Sequence, residues 1–172
     1  DDFGKTLTTH LKARNGRRIV PISSKRALGH GVCAMGGQLV DRTGRAGRVV
    51  CDLNAATALE GVHNAQNAAA AYAAVASLGI SARSIGQAIL NFPGLSHRME
   101  ALGAIGSVRF INDSKATTAE AARQALASYK NIYWIAGGVA KEGGIESLVE
   151  FAPNVRKAYL IGEAASEFAQ TL

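Results

Sequence analysis

The chain has 172 residues, 48% of them hydrophobic and 19% charged, a composition typical of one large or two small globular domains and not of a disordered chain. It contains no apolar run of the roughly 18 residues that a membrane helix needs, and its start does not resemble a signal peptide. Two cysteines are too few for a disulfide framework. These features together predict a cytoplasmic protein. The net charge of +6 arises in residues 1–50, whose only aromatic residue is Phe3. This disfavours binding to nucleic acid and favours a solvated basic face or a small anionic ligand.

The first half of the chain alternates predicted helices and strands. Its helices are predicted over residues 6–16, 65–78 and 81–90, closed by Asn15-Gly16, by Gly79 and by the break that follows residue 90. Its strands are predicted over residues 17–23, on both sides of a two-residue turn at Gly36-Gly37, and over residues 48–53. Residues 91–94, NFPG, disfavour further helix and predict a linker. We therefore predict two domains, residues 1–92 and 93–172.

The second half predicts a parallel sheet. Apolar strands at residues 108–112, 132–138 and 157–162 follow one another at intervals of about 25 residues, and the clearest helix between them is residues 119–129. This spacing is typical of strands joined by crossover helices. The predicted fold class is α/β, with a Rossmann-like second domain.

Two loops follow neighbouring strands of that predicted sheet. NDSKAT (112–117) carries an amide, a carboxylate, two hydroxyls and an ammonium group, and AGGVAKEGG (136–144) carries four glycines. Ligands of open parallel sheets bind at the carboxyl ends of the strands, and glycine lets backbone approach a ligand and leaves backbone N–H groups for an anion. If the two strands are neighbours, Lys115 and Lys141 lie over the same edge and would hold an anion between them.

A simpler interpretation exists for part of this pattern. Thr117 and Glu120 fit a capping box at a helix start, which would explain them without any ligand but leaves Asn112, Asp113 and Lys115 unexplained. We therefore favour a binding loop. Lys141 alone is as well explained by an ordinary exposed lysine.

Two further clusters are candidates for a site. His63, Asn64 and Asn67 have the spacing of one helix face and could read a purine edge, although Asn64 could equally be an N-cap. Arg98 follows the predicted linker beside His97 and could reach a phosphate, although a salt bridge with Glu100 is the alternative.

Four segments together resemble the Mur ligases of peptidoglycan synthesis. They are HNAQNAAAAYAAVASLGI, FPGLSHRME, VRFINDSKATT and IYWIAGGVAKEGGIESL, in that order. Folylpolyglutamate synthases are related and share the asparagine and His-Arg elements. The NDSKAT loop together with the GGVAKEGGI loop is similar to the D-glutamate-adding members in particular.

The resemblance implies an ATP-dependent amide ligase with Mg²⁺ as cofactor, cytoplasmic and usually monomeric. ATP would phosphorylate the carboxylate of UDP-N-acetylmuramoyl-L-alanine, and the amine of D-glutamate would attack the acyl phosphate. The implied ATP-binding residues are His63, Asn64, Asn67, His97, Arg98 and Asp113. Those implied for D-glutamate are Lys115, Thr117 and Lys141, with Arg98 and Lys115 as the catalytic pair. The resemblance gives Asn112 and Ser114 only a supporting role.

The chain also departs from the family pattern. It has no GxxxxGK(S/T) phosphate loop, and nothing matches the family's modified lysine or its metal ligands. Asp1 and Asp2 resemble the end of a strand in the central ATPase domain. We therefore expect a fragment, with residues 1–92 from the back of that domain and 93–172 from the C-terminal domain, inactive by itself. A folylpolyglutamate synthase-like ligase and a non-catalytic nucleotide-binding or interaction module are the alternatives.

Overall fold

The computed structural model describes residues 2–12 and 18–172, which form two units. The first unit contains Asp1–Thr57 and Val62–Phe92, and the second contains Ala58–Gly61 and Pro93–Leu172. Both mix helices with sheet, and each includes a parallel pair of strands, so the α/β class is confirmed. None of the helices in the described ranges is long and apolar enough to cross a membrane.

The first unit is a four-stranded sheet with helices. Its elements are α1 (Asp2–Lys12), β1 (Ile22–Ser23), β2 (Val32–Met35), β3 (Gln38–Asp41), β4 (Arg48–Asp52), α2 (Val62–Ala76) and α3 (Ala82–Leu90). The sheet order is β1-β2-β3-β4, with β1 parallel to β2 and the other pairs antiparallel. Asp2 lies in α1, so the prediction that it ends a strand is wrong. The predicted helix end at Asn15-Gly16 and the strand start at residue 17 lie outside the described residues. Of the described part of that predicted strand, only Ile22–Ser23 is strand, and residues 18–21 are not.

The predicted two-residue turn between β2 and β3 is confirmed. Gly36 and Gly37 have φ of 58° and 77°, and Met35 pairs with Gln38 directly before and after them. Both glycines therefore adopt the left-handed conformation that a tight hairpin requires and that other residues adopt only at a cost. A Cβ on Gly37 would also lie 2.0 Å from the Asn54 side chain.

Alanine lets α2 lie close to the sheet. Ala68, Ala69 and Tyr72 of α2 are buried, together with Val32 and Leu39 of the strands. Small side chains on the buried face of a helix shorten the distance between the helix axis and the sheet. The alanine-rich pattern is thus a packing feature.

A buried carboxylate links the sheet to α2. Burial raises the pKa of Asp41, but hydrogen bonds from the Thr43 hydroxyl and backbone N–H, from Tyr72 and from Arg48 outweigh it and lower the pKa to about 2. The Tyr72 hydroxyl donates to Asp41 at 2.7 Å, and burial together with this hydrogen bond raises the pKa of Tyr72. The ionised form of Asp41 is therefore the one that the folded unit favours.

We expect this carboxylate to make the first unit sensitive to acid. Because the pKa of Asp41 is lowered from 3.8 to about 2, its stabilisation is complete above pH 3.8 and is lost as pH falls through about 2. The shift corresponds to about 2 kcal/mol of unfolding free energy. Hydrogen exchange of the β3 amides at a series of pH values measures it. An Asp41→Asn variant should lack this part of the acid dependence, and an unchanged dependence in the variant would contradict the assignment.

The second unit contains two separate pairs of strands. Its elements are β5 (Glu100–Ile105), β6 (Val108–Asn112), α4 (Ala119–Ser128), β7 (Ile132–Gly137), β8 (Val155–Ile161) and α5 (Ala165–Thr171). β7 and β8 are parallel, joined by a segment whose regular part is a 3-10 helix at Glu146–Asn154, and β6 pairs antiparallel with β5. The prediction that the strand at residues 108–112 joins a parallel sheet with the later strands is therefore wrong, and the prediction of parallel pairing is confirmed for β7 and β8.

The core of the second unit lies on one face of the β7–β8 pair. Its buried residues are Leu126, Ile145, Leu148, Ala164 and Phe168, and Ile132, Trp134 and Leu160 of the strands pack against them. Alternate residues of the same strands, among them Ile135 and Tyr159, are exposed on the opposite face. The helices α4 and α5 and the 3-10 segment therefore cover the face of the pair that carries Ile132, Trp134 and Leu160.

Candidate active site

The first candidate cluster lies in the first turns of α2. His63 and Asn64 are half-buried, Asn67 is exposed, and the Asn67 amide donates to Asn64 Oδ1 at 3.5 Å. The two amides therefore share a helix face, as the spacing predicts. Because α2 begins at Val62, Asn64 is the third residue of the helix, and the alternative that it is the N-cap is wrong.

The second cluster is the loop that carries Arg98. Arg98 is exposed, and its backbone N–H donates to Leu95 O at 3.2 Å in a tight turn. The residues on either side, His97 and Met99, have φ of 65° and 49°. A residue other than glycine in this conformation costs of order 1–3 kcal/mol and persists only where its surroundings fix it. The neighbours of this loop must therefore hold it in place.

One set of neighbours fixes His97. Its backbone N–H donates to Glu100 Oε2 at 2.8 Å, and its carbonyl accepts from the Lys115 backbone N–H at 3.0 Å. The Asn112 amide nitrogen lies 2.8 Å from His97 Nδ1 and donates to Glu100 Oε2 at 3.2 Å. The Glu100 carboxylate thus faces His97 and Asn112, and the alternative of a salt bridge between Glu100 and Arg98 is wrong for the described chain.

A second contact fixes Met99. Its backbone N–H donates to Asp113 Oδ1 at 3.0 Å. The Asn112 side chain in turn accepts from the Ser114 backbone N–H at 3.1 Å, which shapes the start of the NDSKAT loop. The loop with Arg98 and the loop with Lys115 are therefore joined on both sides of Arg98. Sequence reasoning did not find this junction, because β5 was not predicted and the pairing of Glu100 with Asn112 follows from it.

The remaining NDSKAT residues form a tight turn before α4. Lys115 and Thr117 have exposed side chains, and the Ala116 and Thr117 backbone N–H groups donate to Asp113 O and Lys115 O at 2.8 and 3.0 Å. The N-cap is Thr118, whose Oγ1 accepts from Ala121 N at 3.3 Å. The predicted capping box of Thr117 with Glu120 is therefore wrong. Thr117 does not cap α4, so capping no longer explains this residue.

The position of the cap leads to a prediction about two adjacent threonines. Thr118→Ala should lower the free energy of unfolding of the second unit by about 1 kcal/mol, because it removes the hydrogen bond that caps α4. Thr117→Ala is the matched control and should change it by less than about 0.5 kcal/mol. Urea unfolding followed by the fluorescence of Trp134, the only tryptophan of the chain, measures both. Equal losses in the two variants would contradict the assignment.

Two glycines of the AGGVAKEGG loop, Gly137 and Gly144, allow close packing inside the second unit. A Cβ on Gly137 would lie 1.8 Å from Ile161 O, and one on Gly144 would lie 2.7 Å from Glu167 Oε1. The Gly138 N–H donates to Ile161 O at 3.0 Å, and the Gly144 N–H donates to Lys141 O at 2.9 Å. The prediction that these glycines leave N–H groups for an anion is wrong for Gly138 and Gly144.

Lys141 lies exposed in this loop. Because β6 and β7 are not paired, the argument that brought Lys115 and Lys141 over one sheet edge does not hold. Their common role at one ligand stays a prediction that depends on the family resemblance.

Comparison with known proteins shows which enzymes the chain is similar to. The chain is 52% identical over all 172 residues to the UDP-N-acetylmuramoylalanine--D-glutamate ligase of Phenylobacterium zucineum, 54% to that of Caulobacter vibrioides and 50% to that of Rhizobium etli. The resemblance to the Mur ligases is confirmed. The chain spans 36–37% of the length of these relatives. No family model matches it.

The Mur ligase resemblance implies Mg²⁺, and the described residues do not fit a metal site. No group of three or more His, Cys, Asp or Glu side chains that could hold a metal ion occurs in residues 2–12 and 18–172. The acids beside Arg98 already accept hydrogen bonds, Glu100 from the His97 backbone N–H and the Asn112 amide, and Asp113 from the Met99 backbone N–H. We therefore assign no metal ligand to these parts of the chain.

Proposed function

We propose that a protein containing this chain is an ATP-dependent ligase that joins D-glutamate to UDP-N-acetylmuramoyl-L-alanine in peptidoglycan synthesis. The observation that carries the proposal is the identity of 50–54% along all 172 residues to enzymes of that name. ATP phosphorylates the carboxylate of the alanine, the amine of D-glutamate attacks the carbonyl carbon, and phosphate leaves. The names of the relatives favour this reaction over that of a folylpolyglutamate synthase.

Arg98 is the proposed contact to the transferred phosphate. Its guanidinium is permanently charged and presents a planar fork of N–H donors, which matches two oxygens of a phosphoryl group. Its exposed position between two residues with positive φ supports this role, because backbone strain of this kind is common at functional sites. Donors aimed at developing negative charge stabilise the transition state more than the ground state.

The nucleotide is assigned to His97 and Asp113 beside Arg98 and to His63, Asn64 and Asn67 on α2. An ionised carboxylate offers about four acceptor sites, so the bond from Met99 N–H to Asp113 leaves room for a ribose hydroxyl. The paired amides of Asn64 and Asn67 supply both donors and acceptors for the base.

D-Glutamate is assigned to Lys115, Thr117 and Lys141. Two ammonium groups and a hydroxyl match the two carboxylates of this amino acid. α4 begins at Ala119, two residues after Thr117, and the positive end of a helix favours an anion nearby. Lys115 is the proposed catalytic partner of Arg98, because it lies in the loop that is hydrogen-bonded to the Arg98 loop.

We assign residues 1–92 to the back of the central ATPase domain and residues 93–172 to the C-terminal domain of such a ligase. The 172 residues contain no GxxxxGK(S/T) phosphate loop, so this polypeptide made by itself should release no phosphate from ATP.

The test is phosphate release by a purified full-length protein that contains this chain. Release should require ATP, UDP-N-acetylmuramoyl-L-alanine and D-glutamate together. Omission of UDP-N-acetylmuramoyl-L-alanine or of D-glutamate should abolish it. A non-catalytic nucleotide-binding module would bind ATP and release no phosphate with any combination, and this result would overturn the proposal.

A further inference from the structure

We propose that Glu100 and Asn112 are positioning residues for Arg98, and this rests on the proposed role of Arg98 at the transferred phosphate. Neither side chain was assigned to a substrate. Both lie where the strands of the β5–β6 hairpin end, and they pair in register across it. The hairpin therefore presents a carboxylate and an amide side by side at the base of the Arg98 loop.

The hydrogen bonds of Glu100 explain how the loop is held. One oxygen, Oε2, accepts from the His97 backbone N–H at 2.8 Å and from the Asn112 amide at 3.2 Å. The same Asn112 nitrogen lies 2.8 Å from His97 Nδ1. Backbone and side chain of His97 are thus bound to the same pair of residues. The pair fixes His97 from two directions.

Fixing His97 fixes the direction of Arg98. His97 has a φ of 65°, and its relaxation to the ordinary region would rotate the backbone just before Arg98 by about 120°. On the other side, the Met99 N–H is held by Asp113 at 3.0 Å. Arg98 is therefore pinned between two bound residues while its own side chain stays exposed. A misplacement of about 1 Å of a catalytic group can lower a rate by about 10²-fold.

The chemistry of the contact determines the informative variants. Glu100 acts only as an acceptor, so Glu100→Gln keeps a carbonyl oxygen for both donors and Glu100→Ala removes it. Glu120 is a matched control, since it is an exposed glutamate that pairs with Arg123 at 3.5 Å. Asn112→Ala removes the other member of the pair and serves as a second variant if Glu100→Ala does not fold.

The experiment is a double-mutant cycle on phosphate release by the full-length protein. Glu100→Ala should lower kcat about 10- to 100-fold, Glu100→Gln less than about 3-fold, and Glu120→Ala not at all. In an Arg98→Ala background, Glu100→Ala should cause no further loss, because it acts through Arg98. If the two substitutions lower kcat independently, so that their fold-losses multiply, the positioning role is overturned. That result would not contradict the proposed ligase function.

Hydrogen exchange separates failure of this proposal from failure of the proposed function. If the full-length protein releases no phosphate with all substrates, the function fails. The loop can still be tested in the same protein, where Glu100→Ala should remove exchange protection from the backbone amides of His97 and Lys115. Unchanged protection of these amides would overturn the positioning role.

Discussion

Replacing Arg98 with alanine in a full-length protein that contains this chain should lower kcat for phosphate release by about 10²–10³-fold. The Arg98 side chain is exposed, and hydrogen bonds at His97 and Met99 fix the backbone on both sides of it. The guanidinium is therefore preorganised for the reaction. A group of this kind needs little reorganisation when negative charge develops on the phosphoryl group. Initial-rate phosphate release with saturating substrates measures the loss.

Two control variants sharpen this test. Arg98→Lys keeps the positive charge but not the planar fork, and we expect a loss between those of wild type and Arg98→Ala. Arg83→Ala removes another exposed arginine, from α3, and should leave kcat unchanged. A kcat for Arg98→Ala within about 2-fold of wild type would contradict the proposal that Arg98 stabilises the transition state.

Replacing Gly137 with alanine should lower the free energy of unfolding of the second unit by about 2–5 kcal/mol, as the sum of backbone strain and overpacking. Gly137 has a φ of 148°, and a Cβ there would lie 1.8 Å from Ile161 O. That carbonyl already accepts the Gly138 N–H at 3.0 Å, so it cannot move without losing a hydrogen bond at the end of the β7–β8 pair.

The adjacent glycine provides the control for Gly137. Gly138 has a φ of 100°, but nothing lies within 4 Å of a Cβ built there. Gly138→Ala should therefore cost only the backbone strain, about 1–2 kcal/mol. Urea unfolding followed by Trp134 fluorescence compares the two variants. Equal losses of unfolding free energy in the two variants would contradict the claim that Ile161 of β8 leaves no room for a Cβ at Gly137.

Much of the first unit was predictable from local pattern. The Gly36-Gly37 turn, the strand of β4 and the helices α2 and α3 each follow from short-range signals, because turn geometry and helix periodicity are encoded within a few residues. Their boundaries shifted by a few residues, and α2 begins three residues before its prediction, at Val62.

Strand pairing in the second unit was not predictable in the same way. β5 reads Glu-Ala-Leu-Gly-Ala-Ile, and alanine and glycine have low strand propensity, so residues 100–105 carried no strand signal. Without β5, the strand at residues 108–112 was assigned to a parallel sheet. The cap of α4 was misplaced by one residue, since Thr117 and Thr118 are equally good caps in sequence.

The sequence predicts the residue types of the candidate site but not their contacts. Ordinary loops rarely carry as many charged and polar side chains as the loops that contain Arg98, Asp113 and Lys115. Backbone and side-chain hydrogen bonds join these two loops within the second unit. The roles of Glu100 and Asn112 required the register of the hairpin, because their hydrogen bonds cross from one strand end to the other.

Mass spectrometry of the reaction product tests the central claim most directly. A full-length protein containing this chain is incubated with ATP, UDP-N-acetylmuramoyl-L-alanine and an equal mixture of D-glutamate and isotope-labelled L-glutamate. The account predicts a UDP-linked product heavier by one unlabelled glutamate residue, formed together with ADP and phosphate. Incorporation of the labelled L-glutamate to an equal extent would contradict it.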